Sequence, residues 1–171
     1  MSDMPDGGDP GPEDLRALGR YIWAAINLED RVRSLGEQIL GKLTLREWAA
    51  STIVTKTTDH LKGRQQIASV IAASEWLTAS GVLLQRRNEV VHAVPTIYMT
   101  LNQDGPPTKH GSMLEHLPID RTKPVVQTIV LAREFDPMAY EMERQVKGWA
   151  EVAADMQRDS GKRDQRPPSG A

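Results

Sequence analysis

Apolar residues recur at a helical period along the first third of the chain. Leu15, Leu18, Ile22, Ala25, Ile26, Val32, Gly36 and Ile39 fall on one broad stripe, which predicts a helix from about Pro12 to Leu40. Pro12 suits a first-turn position, Glu13 and Asp14 complement the positive end of the helix dipole, and Gly41 supplies a stop. Glu29 interrupts the stripe, a turn beyond Ala25 and Ile26 and a turn before Val32.

The pattern then predicts two further helices. One starts with Thr44 as N-cap and Glu47 completing a T-x-x-E capping box, carries Trp48, Ile53 and Val54, and fades near Leu61–Gly63. The β-branched run STIVTKTT within it weakens the helical preference. The next begins near Arg64 and places Ile67, Val70, Ile71, Ser74, Leu77, Gly81 and Leu84 on one side. Pro95 disfavours helical geometry at Val94, so this helix is expected to end at about Ala93.

Past Pro95 the period changes to two. VPTIYMTL (94–101) alternates Ile97, Met99 and Leu101 with Thr96, Tyr98 and Thr100, and VVQTIVLA (125–132) is rich in β-branched residues, so both read as strands. A long loop, 102–124, joins them into a hairpin. The last helix opens at Asp136-Pro137, an N-cap followed by proline, and turns Met138, Met142, Val146, Trp149, Val152, Ala153 and Met156 to one side. The fold class expected is mainly α: an antiparallel bundle of about four helices, with a small β-hairpin (94–132 including its loop) inserted before the last helix. The domain spans 13–158. A disordered lead over 1–12 and a disordered tail over 159–171 flank it, because their low hydrophobicity leaves nothing to offset ordering entropy.

Composition narrows the classes. A chain of 171 residues suits a single core, and its 39% hydrophobic content is low mainly because of the termini and the long loop. No cysteine means no disulfide framework and no thiolate metal site. No apolar run reaches membrane-spanning length, and the acidic, Gly/Pro-rich N-terminus is the reverse of a signal peptide. A soluble cytoplasmic protein, without membrane attachment or cofactor, is expected. The net charge of −2 argues against broad charge-driven nucleic-acid binding but leaves room for a local basic site.

One such site stands out. LLQRRNEVVHAV (83–94) closes the third helix and gathers Arg86, Arg87, Asn88, Glu89 and His92. Residues four apart share a helix face, which puts Asn88 and His92 together on the side of Ser74, Gly81 and Leu84, with the Arg87 arm able to reach back over them. The carbonyl end of the helix favours a protonated imidazole. Arginine offers a planar fork to phosphate and follows charge as it grows in a transition state. Histidine, titrating near neutrality, moves the proton of a ribose 2′-hydroxyl or of a leaving 5′-oxygen. Asparagine orients either partner. Together these groups would need no metal to cleave RNA by internal attack of the 2′-hydroxyl.

Arg87-Asn88-Glu89-Val90-Val91-His92 resembles the R-x4-H motif, in its R-N-x-x-x-H form, of HEPN domains. These are small helical bundles, many of them metal-independent endoribonucleases of toxin, phage-defence and RNA-processing systems. The resemblance covers roughly residues 13–158 and includes Glu29, which sits where many HEPN domains carry an acidic residue in the first helix. It implies a homodimer in which two motifs meet at a two-fold interface around one scissile phosphate, with Arg87, His92, Asn88 and Glu29 as catalytic candidates. RNA as substrate, and an antitoxin or other protein as partner, follow from the same likeness. Val94 occupies the place where HEPN toxins paired with nucleotidyltransferase antitoxins carry a modifiable tyrosine, which sets this chain apart from them.

A competing reading keeps the fold and drops the chemistry. Arg86 and Glu89 are then surface charges, Arg87 pairs with an acid such as Glu29, and His92 caps a carbonyl, giving a non-catalytic RNA-binding or protein-interaction module. Glu29 also suits a structural ion pair with Arg33 or Arg87. In the long loop, Lys109 and His110, with Arg121 and Lys123, suit a basic flap over RNA as well as a solvated loop. His110 and His116 lack the spacing of a metal site, so no metal is expected.

Overall fold

Pro12, fixed in helical φ and followed by Glu13 and Asp14, opens the first helix, α1 (Pro12–Leu40). Gly41 closes it with φ of 64°, its N–H donating to the Glu37 carbonyl at 2.8 Å, a left-handed cap that a side chain would strain. The remaining helices are α2 (Ala50–Leu61), α3 (Ala68–Val91) and α4 (Phe135–Asp164), with a 3₁₀ turn at Lys62–Arg64. The computed structural model describes residues 12–41, 47–64, 67–91, 93–100, 108–116, 129–131 and 134–164, with side chains for 12–41, 47–64, 67–91 and 134–159.

The backbone divides into two compact units, Met1–Trp23 with Arg86–Tyr140 and Ala24–Gln85 with Glu141–Ala171. The second unit is helical. Leu28, Val32 and Leu35 of α1, Ile53 and Leu61 of α2, Val70, Ala73, Trp76 and Leu77 of α3, and Met142 and Ala153 of α4 are buried. Polar groups tie the helices at defined heights: Gln38 Nε2 donates to the Ala153 carbonyl at 3.2 Å, and the Ser69 hydroxyl donates to Asp159 at 2.6 Å. Arg31 lies over the Trp149 ring, 4.7 Å from its centroid, a cation–π contact between α1 and α4.

The first unit joins the N-terminal part of α1, the last turn of α3 and the first turns of α4 to three strands, β1 (Ala93–Thr100), β2 (Thr108–His116) and β3 (Ile129–Leu131). β2 pairs antiparallel with β1, from Ala93 opposite His116 to Thr100 opposite Thr108, and with β3, where Leu114 faces Val130. This differs from the expected two-stranded hairpin. β2 lies within the expected loop and separates the two strands that were to pair, and it provides the backbone partners a lone hairpin lacks.

Other expectations shift in detail. α2 begins at Ala50 with Ala49 as an N-cap lacking any side-chain bond, so Glu47 and Trp48 precede the helix and Glu47 completes no capping box; Thr44 lies outside the described residues. α3 begins at Ala68, because Ile67 supplies its carbonyl to the N–H groups of Val70 and Ile71, and it ends at Val91 as Ala93 enters β1. Phe135, not Asp136, opens α4, and the helix runs on to Asp164, into the stretch expected to be a disordered tail. Residues 1–11 and 165–171 lie outside the described residues. Among the described residues, no helix is long and apolar enough to cross a membrane.

Candidate functional site

The last turn of α3 carries Arg86, Arg87, Asn88 and Glu89, and its rotation is set by what α3 buries. Val70, Ala73, Trp76, Leu77, Ser80, Leu84 and Val90 are buried, whereas Ile71 is exposed. The inward side therefore runs through Trp76, Ser80, Leu83, Arg87 and Val90, at i, i+4, i+7, i+11 and i+14. Arg87 is half-buried on this side, and Asn88 and Arg86 are exposed. Asn88, one turn beyond the buried Leu84, is exposed. The packed face of α3 is broad, and at its last turn Arg87 lies nearer the middle of that face than Asn88 does. His92 lies outside the described residues.

The same unit also holds an aromatic residue of α1. Tyr21 is fully buried (0% exposed), and its ring stacks on Phe135 with centroids 5.9 Å apart and planes 26° apart. A flanking ion pair, Arg20 Nη1 to Asp136 Oδ1 at 3.1 Å, joins the same two helices one residue along on each. Among the described residues the Tyr21 hydroxyl has no hydrogen-bond partner. Burial pushes the Tyr21 phenol well above the ordinary tyrosine range; Arg86 and Arg87 pull it down, and Glu89 pushes it further up. Three charges of the motif turn thus act on one buried hydroxyl.

The other expected site residues divide between those placed and those outside the description. Glu29 accepts a hydrogen bond from Arg33 Nη2 at 2.7 Å, and the two side chains are 22% and 25% exposed. This i, i+4 pair, with the glutamate nearer the N-terminus, is the favourable helical order and explains how a carboxylate sits in the apolar stripe. Lys109 and His110 belong to the backbone of β2, Lys109 opposite Met99, and their side chains lie outside the described residues. Among the described residues no group of three His, Asp or Glu side chains is placed to hold a metal ion. A crevice of about 80 Å³ in the helical unit, lined by Leu61, Ile67, Val70, Ser69 and Asp159 among others, is too small for a nucleotide.

Tyr21 is a core residue that the predicted apolar stripe of α1 passed over. Its signal is the set Tyr21, Ala24, Leu28, Val32 and Leu35, spaced at threes and fours, all of them buried. No protein family, characterised protein or solved structure matches the chain.

Proposed function

We propose that the protein is a homodimeric, metal-independent endoribonuclease whose half-site is Arg87, Asn88 and His92. The observation that carries the reading is the last turn of α3. Arg87 is half-buried, while Asn88 and Arg86 are exposed on the same turn, so a partly enclosed guanidinium stands next to accessible polar groups. In this reading His92 removes the proton from a ribose 2′-hydroxyl, O2′ attacks phosphorus, and the P–O5′ bond breaks. His92 of the partner subunit returns a proton to O5′, and Arg87 stabilises the charge on the non-bridging oxygens. Asn88 orients the ribose or the imidazole, and Arg86, Lys109 and His110 bind flanking phosphates. The likeness of Arg87–His92 to the HEPN motif supports a toxin, phage-defence or mobile-element role in the cytoplasm, with an antitoxin or similar protein as further partner.

The test is cleavage of a single-stranded oligoribonucleotide in EDTA, with product ends identified. A 2′,3′-cyclic phosphate and a 5′-hydroxyl are expected. Arg87→Ala and His92→Ala should each lower the rate by about a hundredfold or more while the thermal melt stays near that of the parent chain. Arg87→Lys keeps the charge and the aliphatic stem but loses the fork, and separates chemistry from packing. The net charge of −2 favours the second reading, a non-catalytic RNA-binding or interaction module. RNA binding without cleavage would select it.

A further inference from the structure

The apolar residues of α1 fall on two faces. Tyr21, Leu28, Val32 and Leu35 lie on the buried one. Leu15, Gly19, Ile22, Trp23 and Ile26, at i, i+4, i+7, i+8 and i+11, lie on the other, and Leu15, Trp23 and Ile26 are each more than half exposed. The helical rise gives this second row a length of about 17 Å. Arg16 and Arg20 lie to one side of it, with Arg20 held by Asp136, and Asp30 and Arg33 end it. In its middle a Cβ at Gly19 would meet nothing within 4 Å, so the backbone there is bare. On α3, by contrast, Glu75 and Thr78 separate the exposed Ile71 from the exposed Val82. Scattered apolar residues on a surface are ordinary, whereas a contiguous row along one helix marks a docking face.

We infer that this face docks a second copy of itself, α1 against α1 in antiparallel order. The spacing selects a self-copy. Reversed about a point between Arg20 and Tyr21, the row maps onto itself: Leu15 comes opposite Ile26 of the partner subunit, and Gly19 opposite the partner's Ile22. The glycine leaves room where the isoleucine has bulk, which lets the two helices approach closely. At the rim the exposed Arg16 comes beside Trp23 of the partner subunit, a cation at an indole like that of Arg31 over Trp149 within the chain. Two-fold symmetry makes each of these contacts twice. A row of this length buries less than the roughly 800 Å² per partner of a stable interface, so the dimer is reversible and depends on concentration. The inference gives the homodimer of the nuclease reading its surface; it rests on that reading for the link to cleavage, and on α1 alone for the contact.

Sedimentation velocity on the full chain, from about 1 to 100 µM, tests the contact and should show a monomer–dimer equilibrium. Gly19→Gln has open space in the single chain and gains helix propensity, so it should melt no lower than the parent protein. Its side chain takes the room of the partner's Ile22, and the dimer Kd should rise by at least about tenfold. Leu15→Lys and Ile26→Glu should each be monomeric over the same range. Their equal mixture should dimerise, because the introduced charges meet across one contact while the parent pair remains at the other. A parent chain that stays monomeric throughout, a Gly19→Gln chain that dimerises like the parent, or a mixture no better than its components would overturn the inference. Cleavage is read separately. A monomeric Gly19→Gln that cuts RNA as the parent does upholds the interface and sinks only the composite site of the nuclease reading.

Discussion

Trp76 and Gln145 bond each other twice. The indole Nε1 of Trp76 donates to the Gln145 backbone carbonyl at 2.9 Å, and Gln145 Nε2 donates to the Trp76 carbonyl at 2.9 Å. The same amide donates to Ser80 Oγ at 3.1 Å, and the buried Ser80 hydroxyl donates to the Trp76 carbonyl at 2.7 Å. This closed polar clasp joins α3 to α4 and lets a tryptophan be buried with its N–H satisfied.

Removing the amide should cost stability in proportion to the two bonds it makes. Gln145→Ala is expected to lose about 1–2 kcal/mol in urea unfolding. Gln145→Glu should be worse at neutral pH, because its carboxylate would face the Trp76 carbonyl and the Ser80 oxygen. Lowering the pH towards 4 should recover part of the loss, as a protonated carboxyl regains one donor. Equal stability of the two variants at both pH values would show that the clasp contributes shape alone.

Two helical glycines in the same unit should respond oppositely to alanine. A Cβ at Gly148 would meet the Trp76 ring at 3.8 Å, an ordinary contact, whereas one at Gly81 would meet Val54 Cγ1 at 3.2 Å. Gly148→Ala should therefore keep the full propensity gain of about 0.5–1 kcal/mol and raise the melting temperature by about 2–4 °C per kcal/mol. At Gly81 the displacement of Val54 opposes that gain, and no rise is expected. Differential scanning calorimetry on the two variants checks the contrast.

The Glu29–Arg33 pair decides whether Glu29 belongs to the chemistry. Each side chain keeps about a quarter of its surface in solvent, so Glu29→Gln should cost less than about 1 kcal/mol, and less still in high salt. If Glu29 serves only this pair, RNA cleavage by Glu29→Gln will match that of the parent chain. A drop of tenfold or more with an unchanged melt would return the residue to the catalytic set.

Much of this architecture was legible along the chain, and the misses share a cause. Pro12 and Gly41 bound α1 as expected, and the inner side of α4 runs through Met138, Met142 and Ala153 as read. These are local signals. The inner side of α1 was harder, because apolar residues lie on more than one face. Trp23 is 67% exposed and Leu15 and Ile26 are also exposed, whereas Tyr21, Leu28 and Leu35 are buried. The burial of Trp76 depends on Gln145, 69 residues away, and β2 forms through pairing with both neighbours, neither of which is visible in a local pattern. The motif itself was plain from spacing. The burial of Tyr21 was not, since it owes its place to Phe135 at the start of a different helix.

The burial of Tyr21 also fixes how stability should depend on alkaline pH. The folded protein holds the phenolic proton well above the ordinary value of 10.0, to which the tyrosine returns on unfolding. Below about pH 10 both states carry the proton, and the residue adds no pH dependence. Above it the unfolded chain releases the proton while the folded protein keeps it, so stability falls as pH rises, with a slope approaching about 1.4 kcal/mol per pH unit. Comparing the parent chain with Tyr21→Phe isolates the share of this one residue. Urea unfolding of both chains between pH 9 and about 11.5 should show a constant difference at the lower end and a growing advantage for Tyr21→Phe beyond about pH 10. A difference that stays constant throughout would mean that the hydroxyl reaches solvent in the folded protein.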